Sequence, residues 1–213
     1  MHERLVAMGY PAILTKEPGG TAIGEVVRGL LLDFRHAEMQ PTTEILLFAA
    51  ARAQHVAERI QPCLDQRGIV VCDRFADSTY AYQGSGLGHD LQELKTITRI
   101  ATGGLTPALT IFLDLAVATG LQRKRVAVGL PAIADQSGSA QSDSGTVEWN
   151  RLDARDILFH ERVRAGYLAL IDAEPWRWRS FDATLDRDTL ATRIWQLVEP
   201  RLARSTALQG VDS

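Results

Sequence analysis

Four short apolar runs, separated by longer segments with helical periodicity, constrain the fold of this chain more than any other feature. Each run is rich in apolar or β-branched residues and is bounded by glycine, proline or charge, as is typical of strands covered on both faces. The runs are PAILTKE (11–17), GIVVCDR (68–74), LTIFLDL (109–115) and the weaker WRSFDA (178–183). Helical patterns occupy 22–32, about 43–67, 90–101, 153–172 and 186–202. Strands that alternate with helices predict an α/β domain built on a parallel sheet.

Length and charge narrow the class of protein. The chain has 213 residues, 46% hydrophobic and 23% charged, which predicts one globular domain over 1–213. Its net charge of −3 argues against general attachment to nucleic acid or to an anionic membrane. The longest apolar run, Ile45–Ala51, is much shorter than a membrane span needs. Two cysteines, Cys63 and Cys72, and the lack of a secretory signal pattern predict a cytoplasmic location.

Three stretches depart from the strand–helix alternation. Residues 126–150 have almost no periodicity and include the low-complexity run SGSAQSDSG, which predicts a flexible lid insert. Residues 204–213 are predicted to form a disordered tail. The opening Met1–Met8 resembles the last turns of a helix, because Gly9 ends the pattern and a strand follows at once. We therefore expect a further segment upstream of Met1.

The carboxyl ends of the predicted strands are the places where an open parallel sheet binds ligands. The first strand ends in Glu17-Pro18-Gly19-Gly20-Thr21, the second in Asp73-Arg74 and the third in Asp114. Asp73-Arg74 fits two interpretations equally well. It is either a phosphate clamp, in which the arginine fork binds phosphate and the aspartate holds Mg²⁺, or a structural salt bridge at a strand end.

Two further groups combine polar and aromatic side chains at helical spacing. Phe48 and Arg52 lie four residues apart, so they share a helix face and suit a planar base, although a core phenylalanine beside a solvent arginine gives the same pattern. Thr79, Tyr82 and Gln83, which follow Ser78, gather polar groups on one face, as a solvated helix also does. The glycines at 84, 86 and 88 predict a loop. The histidines lack the spacing of a zinc site, and no G-x-x-x-x-G-K-[ST] motif occurs.

Five blocks in this order closely resemble bacterial thymidylate kinases. They are TKEPGGTAIGEVVRGLLL, TEILLFAAARAQHV, VVCDRFADSTYAYQGSGLG, LTPALTIFLDL and NRLDARDILFHERVRAGYL. The resemblance implies a three-layer P-loop kinase fold, a parallel sheet flanked by helices. It also implies a homodimeric enzyme that transfers the γ-phosphoryl of Mg-ATP to dTMP, giving dTDP for dTTP synthesis.

The resemblance also implies a role for each candidate residue. Phe48 would stack on thymine, Arg52 would bond its carbonyl edge, and Thr79 and Gln83 would complete base recognition with Ser78 nearby. Tyr82 would lie against the deoxyribose. Arg28 and Arg74 would hold the monophosphate, while Glu17 and Asp73 would face the phosphates, with Asp73 as the metal ligand. Arg123, Arg125 and Arg151 would cover the transferring phosphoryl group from the lid.

Two departures from the family pattern stand out. The family begins with a strand, a Walker A loop and a helix, about thirty residues that we expect to be missing before Met1. That strand would be the central one, between GIVVCDR and LTIFLDL. We therefore expect little phosphoryl transfer from the chain as given, and a non-catalytic nucleotide-binding or dimerisation remnant is the alternative. The second departure is the lid, which is longer and richer in Ser and Gly than is usual for the family.

Overall fold

A computed structural model of the chain describes residues 1–130 and 149–209, with side chains as far as Leu202. Four strands are present in this part of the chain, and all lie within the predicted apolar runs. They are β1 (Ala12–Lys16), β2 (Ile69–Asp73), β3 (Thr110–Asp114) and β4 (Trp178–Asp182). The chain therefore has the predicted α/β class, with helices flanking parallel strands.

The strands form two parallel pairs. β1 pairs with β2, with Ala12 opposite Ile69, and β3 pairs with β4, with Thr110 opposite Trp178. Within the described residues the two pairs are not hydrogen-bonded to each other. The expectation that a further strand lies between β2 and β3 stays a prediction.

Nine helices are described in these ranges. They are α1 (His2–Ala7), α2 (Ala22–Leu32), α3 (Pro41–His55), α4 (Gln61–Asp65), α5 (Ala76–Thr79), α6 (Leu91–Thr102), α7 (Val117–Ala127), α8 (Ile157–Ala173) and α9 (Arg187–Gln209). A short 3₁₀ turn, Phe34–His36, follows α2. A π-helical segment, Val56–Ile60, joins α3 to α4, and a second, Tyr80–Gly86, continues α5.

Side-chain caps determine where several helices begin. Thr21 accepts a hydrogen bond from the Gly24 amide (2.9 Å) at the start of α2. Asp90 accepts from two amides at the start of α6, and that helix ends at Gly103 with φ +63°. Asp156 accepts from the Phe159 amide (2.7 Å) at the start of α8. Such caps satisfy amide groups that have no partner within the helix.

Three predicted segments differ from the structure. The glycine-rich stretch predicted as a loop lies partly in the π-helical segment, because Gly84 and Gly86 fall within Tyr80–Gly86. The lid prediction starts at Val126, but α7 extends to Ala127, and residues 131–148 lie outside the described part of the chain. The disordered tail is predicted to start at 204, but α9 continues to Gln209. Neither glycine nor proline interrupts the sequence between 204 and 209. Residues 210–213 lie outside the described part of the chain.

Close packing of α8 on the segment Tyr80–Gly86 positions one side of the site. A Cβ atom added to Gly86 would lie 2.6 Å from Cε2 of Phe159, and one added to Gly166 would lie 2.3 Å from Oγ of Ser85. The buried residues Ala81, Phe159 and Val163 form one hydrophobic cluster at this contact. The glycines are therefore explained by helix contact. Among the described residues, no helix has the length and apolar character that crossing a membrane requires.

Candidate functional site

The first part of the candidate site is a buried ion pair between the end of β1 and helix α3. Glu17 follows β1, and its Oε2 accepts a hydrogen bond from Nε of Arg52 at 2.8 Å, with the two side chains 4% and 2% exposed. Its other oxygen lies 3.2 Å from Nδ1 of His55, whose Nε2 is 2.6 Å from Oγ1 of Thr15. The carboxylate therefore fixes the position of the Arg52 guanidinium.

The Arg52 guanidinium also reaches the helix that follows β2. Its Nη2 donates to Oγ1 of Thr79 at 3.0 Å, and its Cζ lies 5.7 Å from the centroid of the Phe75 ring. The remaining nitrogen, Nη1, is buried and has no hydrogen-bond partner among the described residues. A buried donor without a partner is costly, so Nη1 is a candidate to bind a ligand oxygen.

Gln83 forms the second part of the site, together with a carboxylate that sequence analysis did not single out. Nε2 of Gln83 donates to Oε1 of Glu44 at 2.9 Å, and both side chains are buried. Oε2 of Glu44 accepts from Nη2 of Arg151 (2.6 Å) and from Nη2 of Arg155 (2.7 Å). Glu44 thus connects the base-recognition candidate Gln83 to the segment that follows the predicted lid.

A third group lies where β2 ends. Arg74 has φ +67°, a left-handed conformation that is unfavourable for a residue with a side chain and that is often retained at functional sites. Its Nη2 donates to the Tyr82 hydroxyl at 3.2 Å, and its Cζ lies 5.0 Å from the ring centroid. The Asp73 side chain is exposed, and its carbonyl accepts from the Glu17 amide at 2.9 Å, so the ends of β1 and β2 meet here.

Ser78 is tied to α8 rather than to the Arg52 network. The hydroxyl of Tyr167 donates to Oγ of Ser78 at 2.9 Å, and Tyr167 stacks on Phe112 with ring centroids 5.1 Å apart. Burial raises the pKa of Tyr167 to about 12, so the phenol stays protonated and remains a donor near neutral pH. Ser78 therefore contributes to the packing of this wall of the site.

Arg28 and Phe48 occupy the α2–α3 side. Nη1 of Arg28 donates to the carbonyl of Pro18 at 3.1 Å, which places the guanidinium beside the loop after β1. Phe48 is half-buried and packs against the cluster of Leu31, Leu32 and Leu152. The ring thus contacts the core, and its role in stacking on a base stays a prediction.

The three arginines assigned to the lid have different partners in the described structure. Nη2 of Arg151 pairs with Glu44, and its Nε donates to the Leu31 carbonyl at 3.0 Å. Nη1 of Arg123 instead donates to the Ala183 carbonyl at 2.8 Å, after β4. Cζ of Arg125 lies 5.3 Å from the centroid of the Trp149 ring. Most of the predicted lid, 131–148, is outside the described residues.

Comparison with known proteins identifies the family of this chain. The family model described as thymidylate kinase matches residues 1–128. The chain belongs to the thymidylate kinase family. It is 54% identical over 211 residues to the thymidylate kinase of Roseiflexus castenholzii, covering 99% of this chain and 90% of that protein. It is 53% identical over 213 residues to that of Herpetosiphon aurantiacus, covering 95% and 88%.

A solved structure supports the same assignment. The crystal structure of thymidylate kinase from Ehrlichia chaffeensis is 28% identical and superposes with a TM-score of 0.63, covering 84% of this chain and 80% of that chain. The P-loop kinase class expected from the sequence is thereby confirmed, and family membership makes the chain a phosphotransferase by descent.

Glu44 is the site residue that sequence reasoning missed, although a signal was present. Glu44, Phe48, Arg52 and His55 recur at spacings of four, four and three, so all four lie on one face of α3. An acidic residue in the first turn of a helix is usually explained by the helix dipole. Glu44 shares its helix face with Arg52 and His55, which are also polar and buried, and this distinguishes it from an acidic residue that only interacts with the helix dipole.

Proposed function

We propose that this chain is a thymidylate kinase that transfers the γ-phosphoryl of ATP to dTMP, and that the described residues form its dTMP site. The proposal rests on one observation. Nη1 of Arg52 is a buried donor without a partner among the described residues, while Nη2 of the same residue bonds Thr79; Gln83, whose Nε2 donates to Glu44, offers its amide oxygen as an acceptor. Thr79 and Gln83 are separated by four residues and therefore share a helical face.

This donor and acceptor complement the edge of thymine. Thymine offers a carbonyl oxygen and an adjacent N3–H, which match the guanidinium and the amide oxygen respectively. Cytosine offers an amino group and a bare N3, the reverse pattern. A buried site that pairs both groups rejects a ligand that leaves them unpaired. Phe48, one turn before Arg52 on α3, supports the proposal because its ring is only partly buried and an aromatic ring at this spacing suits stacking on a base.

The other candidate residues are assigned to the phosphate side. We propose that Arg28 and Arg74 hold the monophosphate, as their positions beside the ends of β1 and β2 support. Glu17 pairs with Arg52, and Tyr82 contacts Arg74; we propose that the deoxyribose lies against Tyr82. Arg151 approaches from the lid side, and Arg123 and Arg125 remain lid candidates. Phosphoryl transfer depends mainly on such positioning and on positive charge around the phosphate oxygens.

Mg²⁺ fits the exposed carboxylate at the end of β2. Mg²⁺ is commonly held by one or two carboxylates together with substrate phosphates, and the Asp73 side chain is exposed beside the proposed phosphate site. Glu17 is already committed to Arg52 and His55, so Asp73 is the residue that would hold the ion. The ion would neutralise charge on the phosphate oxygens.

Binding of dTMP to the 213-residue chain tests the proposal. We expect titration calorimetry to detect dTMP, with dCMP weaker by at least about tenfold, because two hydrogen bonds are mismatched. Arg52→Met should weaken dTMP by a similar factor. No preference for dTMP, or an unchanged affinity in Arg52→Met, would contradict the assigned site. An assay of ADP release with ATP and dTMP then separates a complete kinase from a chain that only binds the monophosphate.

We also propose a homodimer, supported by an apolar stripe on α2. Ile23, Val26 and Leu30 lie on one side of that helix and are 56%, 68% and 41% exposed. Exposed stripes of this kind mark protein interfaces. Val26→Glu should convert a dimer to a monomer in light scattering, whereas Leu158→Glu, a change at an equally exposed residue on α8, should not. A monomeric wild type, or a dimer that survives Val26→Glu, would overturn this assignment.

A cytoplasmic location is proposed from the cysteines. Cys63 and Cys72 are both free thiols in the structure. Free thiols are typical of a reducing compartment.

A further inference from the structure

We propose that Glu44 is a positioning residue that fixes the amide orientation of Gln83 and thereby determines which pyrimidine base the site accepts. The inference deepens the dTMP site proposed above and rests on it. Neither the family comparison nor the sequence motifs point to Glu44. The proposal comes from the contacts of one buried carboxylate.

Both oxygens of Glu44 are occupied, and each has a different partner. Oε2 accepts from the guanidinium groups of Arg151 (2.6 Å) and Arg155 (2.7 Å), so it faces two positive charges. Oε1 accepts from Nε2 of Gln83 at 2.9 Å. The Glu44 side chain is 1% exposed, so water does not compete for these positions.

A carboxylate that pairs with guanidinium groups only accepts hydrogen bonds. Gln83 must therefore turn its NH₂ group toward Glu44, because a flipped amide would set two oxygen atoms against each other in a buried site. Its carbonyl oxygen then points away from Glu44, where we place the base. Glu44 thus decides whether Gln83 presents an acceptor or a donor to the base.

The consequence is specificity rather than affinity alone. An acceptor at Gln83 suits the N3–H of thymine, whereas a donor would suit the bare N3 of cytosine. A glutamine at 44 offers both an oxygen and an NH₂ group, so Gln83 could adopt either orientation. Glu44→Gln is nearly isosteric and therefore tests the orientation with little change in packing volume.

The experiment compares the affinities of dTMP and dCMP by titration calorimetry in matched variants. Glu44→Gln should lower the dTMP-to-dCMP affinity ratio by about tenfold. Arg155→Gln is the control, because it removes one arginine contact of Glu44 but retains the bond to Gln83, and it should keep the wild-type ratio. Glu44→Asp, which keeps the charge but withdraws the carboxylate, should also lower the ratio and serves if Glu44→Gln does not fold.

An unchanged ratio in a folded Glu44→Gln or Glu44→Asp, or an equal loss in Arg155→Gln, would overturn the inference. A second measurement needs no nucleotide. The side-chain NH₂ of Gln83 should exchange slowly with solvent in the wild type and at least about tenfold faster in Glu44→Gln. If the wild type shows no preference for dTMP but the amide is protected, the dTMP assignment fails while the orientation stands; an unprotected amide refutes the orientation itself.

Discussion

The buried pair Glu17–Arg52 makes a quantitative prediction about folding stability. Its two side chains are 4% and 2% exposed and are joined by a 2.8 Å hydrogen bond. Glu17→Gln leaves the guanidinium with Thr79 as its remaining protein partner, and Arg52→Met leaves the carboxylate with His55. Removing one member of a buried pair costs about 3–5 kcal/mol, because the other charge stays buried without compensation.

A double-mutant cycle measures that cost. For a chain of 213 residues, a loss of 1 kcal/mol lowers the melting temperature by roughly 2–4 °C, so each single variant should melt about 6–20 °C lower. The double variant Glu17→Gln/Arg52→Met leaves neither charge and should be more stable than additivity predicts, by about 0.5–3 kcal/mol. Urea denaturation midpoints with unchanged m values provide the free energies.

If the loss of unfolding free energy in the double variant equals the sum of the two single losses within about 0.5 kcal/mol, the reasoning is refuted. The uncompensated burial of one charge would then not be the cause of the single losses. An exposed pair provides the matched control. Arg35 and Asp33 are joined at 2.6 Å, but the arginine is 84% exposed. Asp33→Asn should leave the urea midpoint unchanged within error, because solvent screens such pairs.

Two further predictions concern the packing and titration of α8. Burial lowers the pKa of His160 below its ordinary value of 6.5. As the pH falls past 6.5, the unfolded state therefore takes up a proton before the folded state does. The free energy of unfolding should decrease as the pH drops from about 7.5 to about 5.5. Urea midpoints should show this decrease, and His160→Gln should flatten it; an equally steep decrease in that variant would assign the effect elsewhere. Gly166→Ala should cost about 1–3 kcal/mol because its Cβ would lie 2.3 Å from Oγ of Ser85, whereas Gly29→Ala, with no atom within 4 Å, should gain roughly 0.5–1 kcal/mol. Equal melting temperatures of the two alanine variants would contradict this.

The strands could be predicted because short apolar or β-branched runs bounded by glycine, proline or charge are a strong local signal. The expected cover on both faces is not seen among the described residues, since Leu14 of β1 and Leu113 of β3 are 59% and 49% exposed. β2 lies within the predicted run GIVVCDR, and the other three strands lie within their predicted runs. Their pairing could not be read in the same way, because apolar character does not specify a partner. α7 was not predicted, since none of its residues is buried and its sequence therefore has no apolar face to detect.

The glycine-rich segment shows a different limit. A local interpretation of Gly84 and Gly86 predicts a loop, yet both lie in a π-helical segment, where a Cβ atom at either position would lie close to Leu94 or Phe159. The reason for each glycine is a contact with a residue distant in sequence. Arg74 is similar, because its left-handed conformation has no signature in the residue type.

The candidate site shows why recognition residues are easier to predict than the residues that orient them. Arg52 and Gln83 carry side chains whose donors and acceptors suggest a ligand, and their spacing from Phe48 and Thr79 is helical. Each is oriented by a buried carboxylate, Arg52 by Glu17 and Gln83 by Glu44. Both oxygens of a carboxylate accept hydrogen bonds, so either one can face the partner only as an acceptor. An amide or guanidinium that binds it must therefore turn an N–H group toward it.

If Arg52 and Gln83 contact the base as proposed, the two carboxylates that orient them determine the hydrogen-bonding pattern of the pocket. This role would also explain their burial, because exposure to water would allow each partner to rotate toward solvent. An ion pair in this position is a poor source of stability compared with apolar packing. In the proposed dTMP site, the two carboxylates would instead hold one donor and one acceptor in fixed positions, which is what discrimination between two pyrimidines of almost equal size requires.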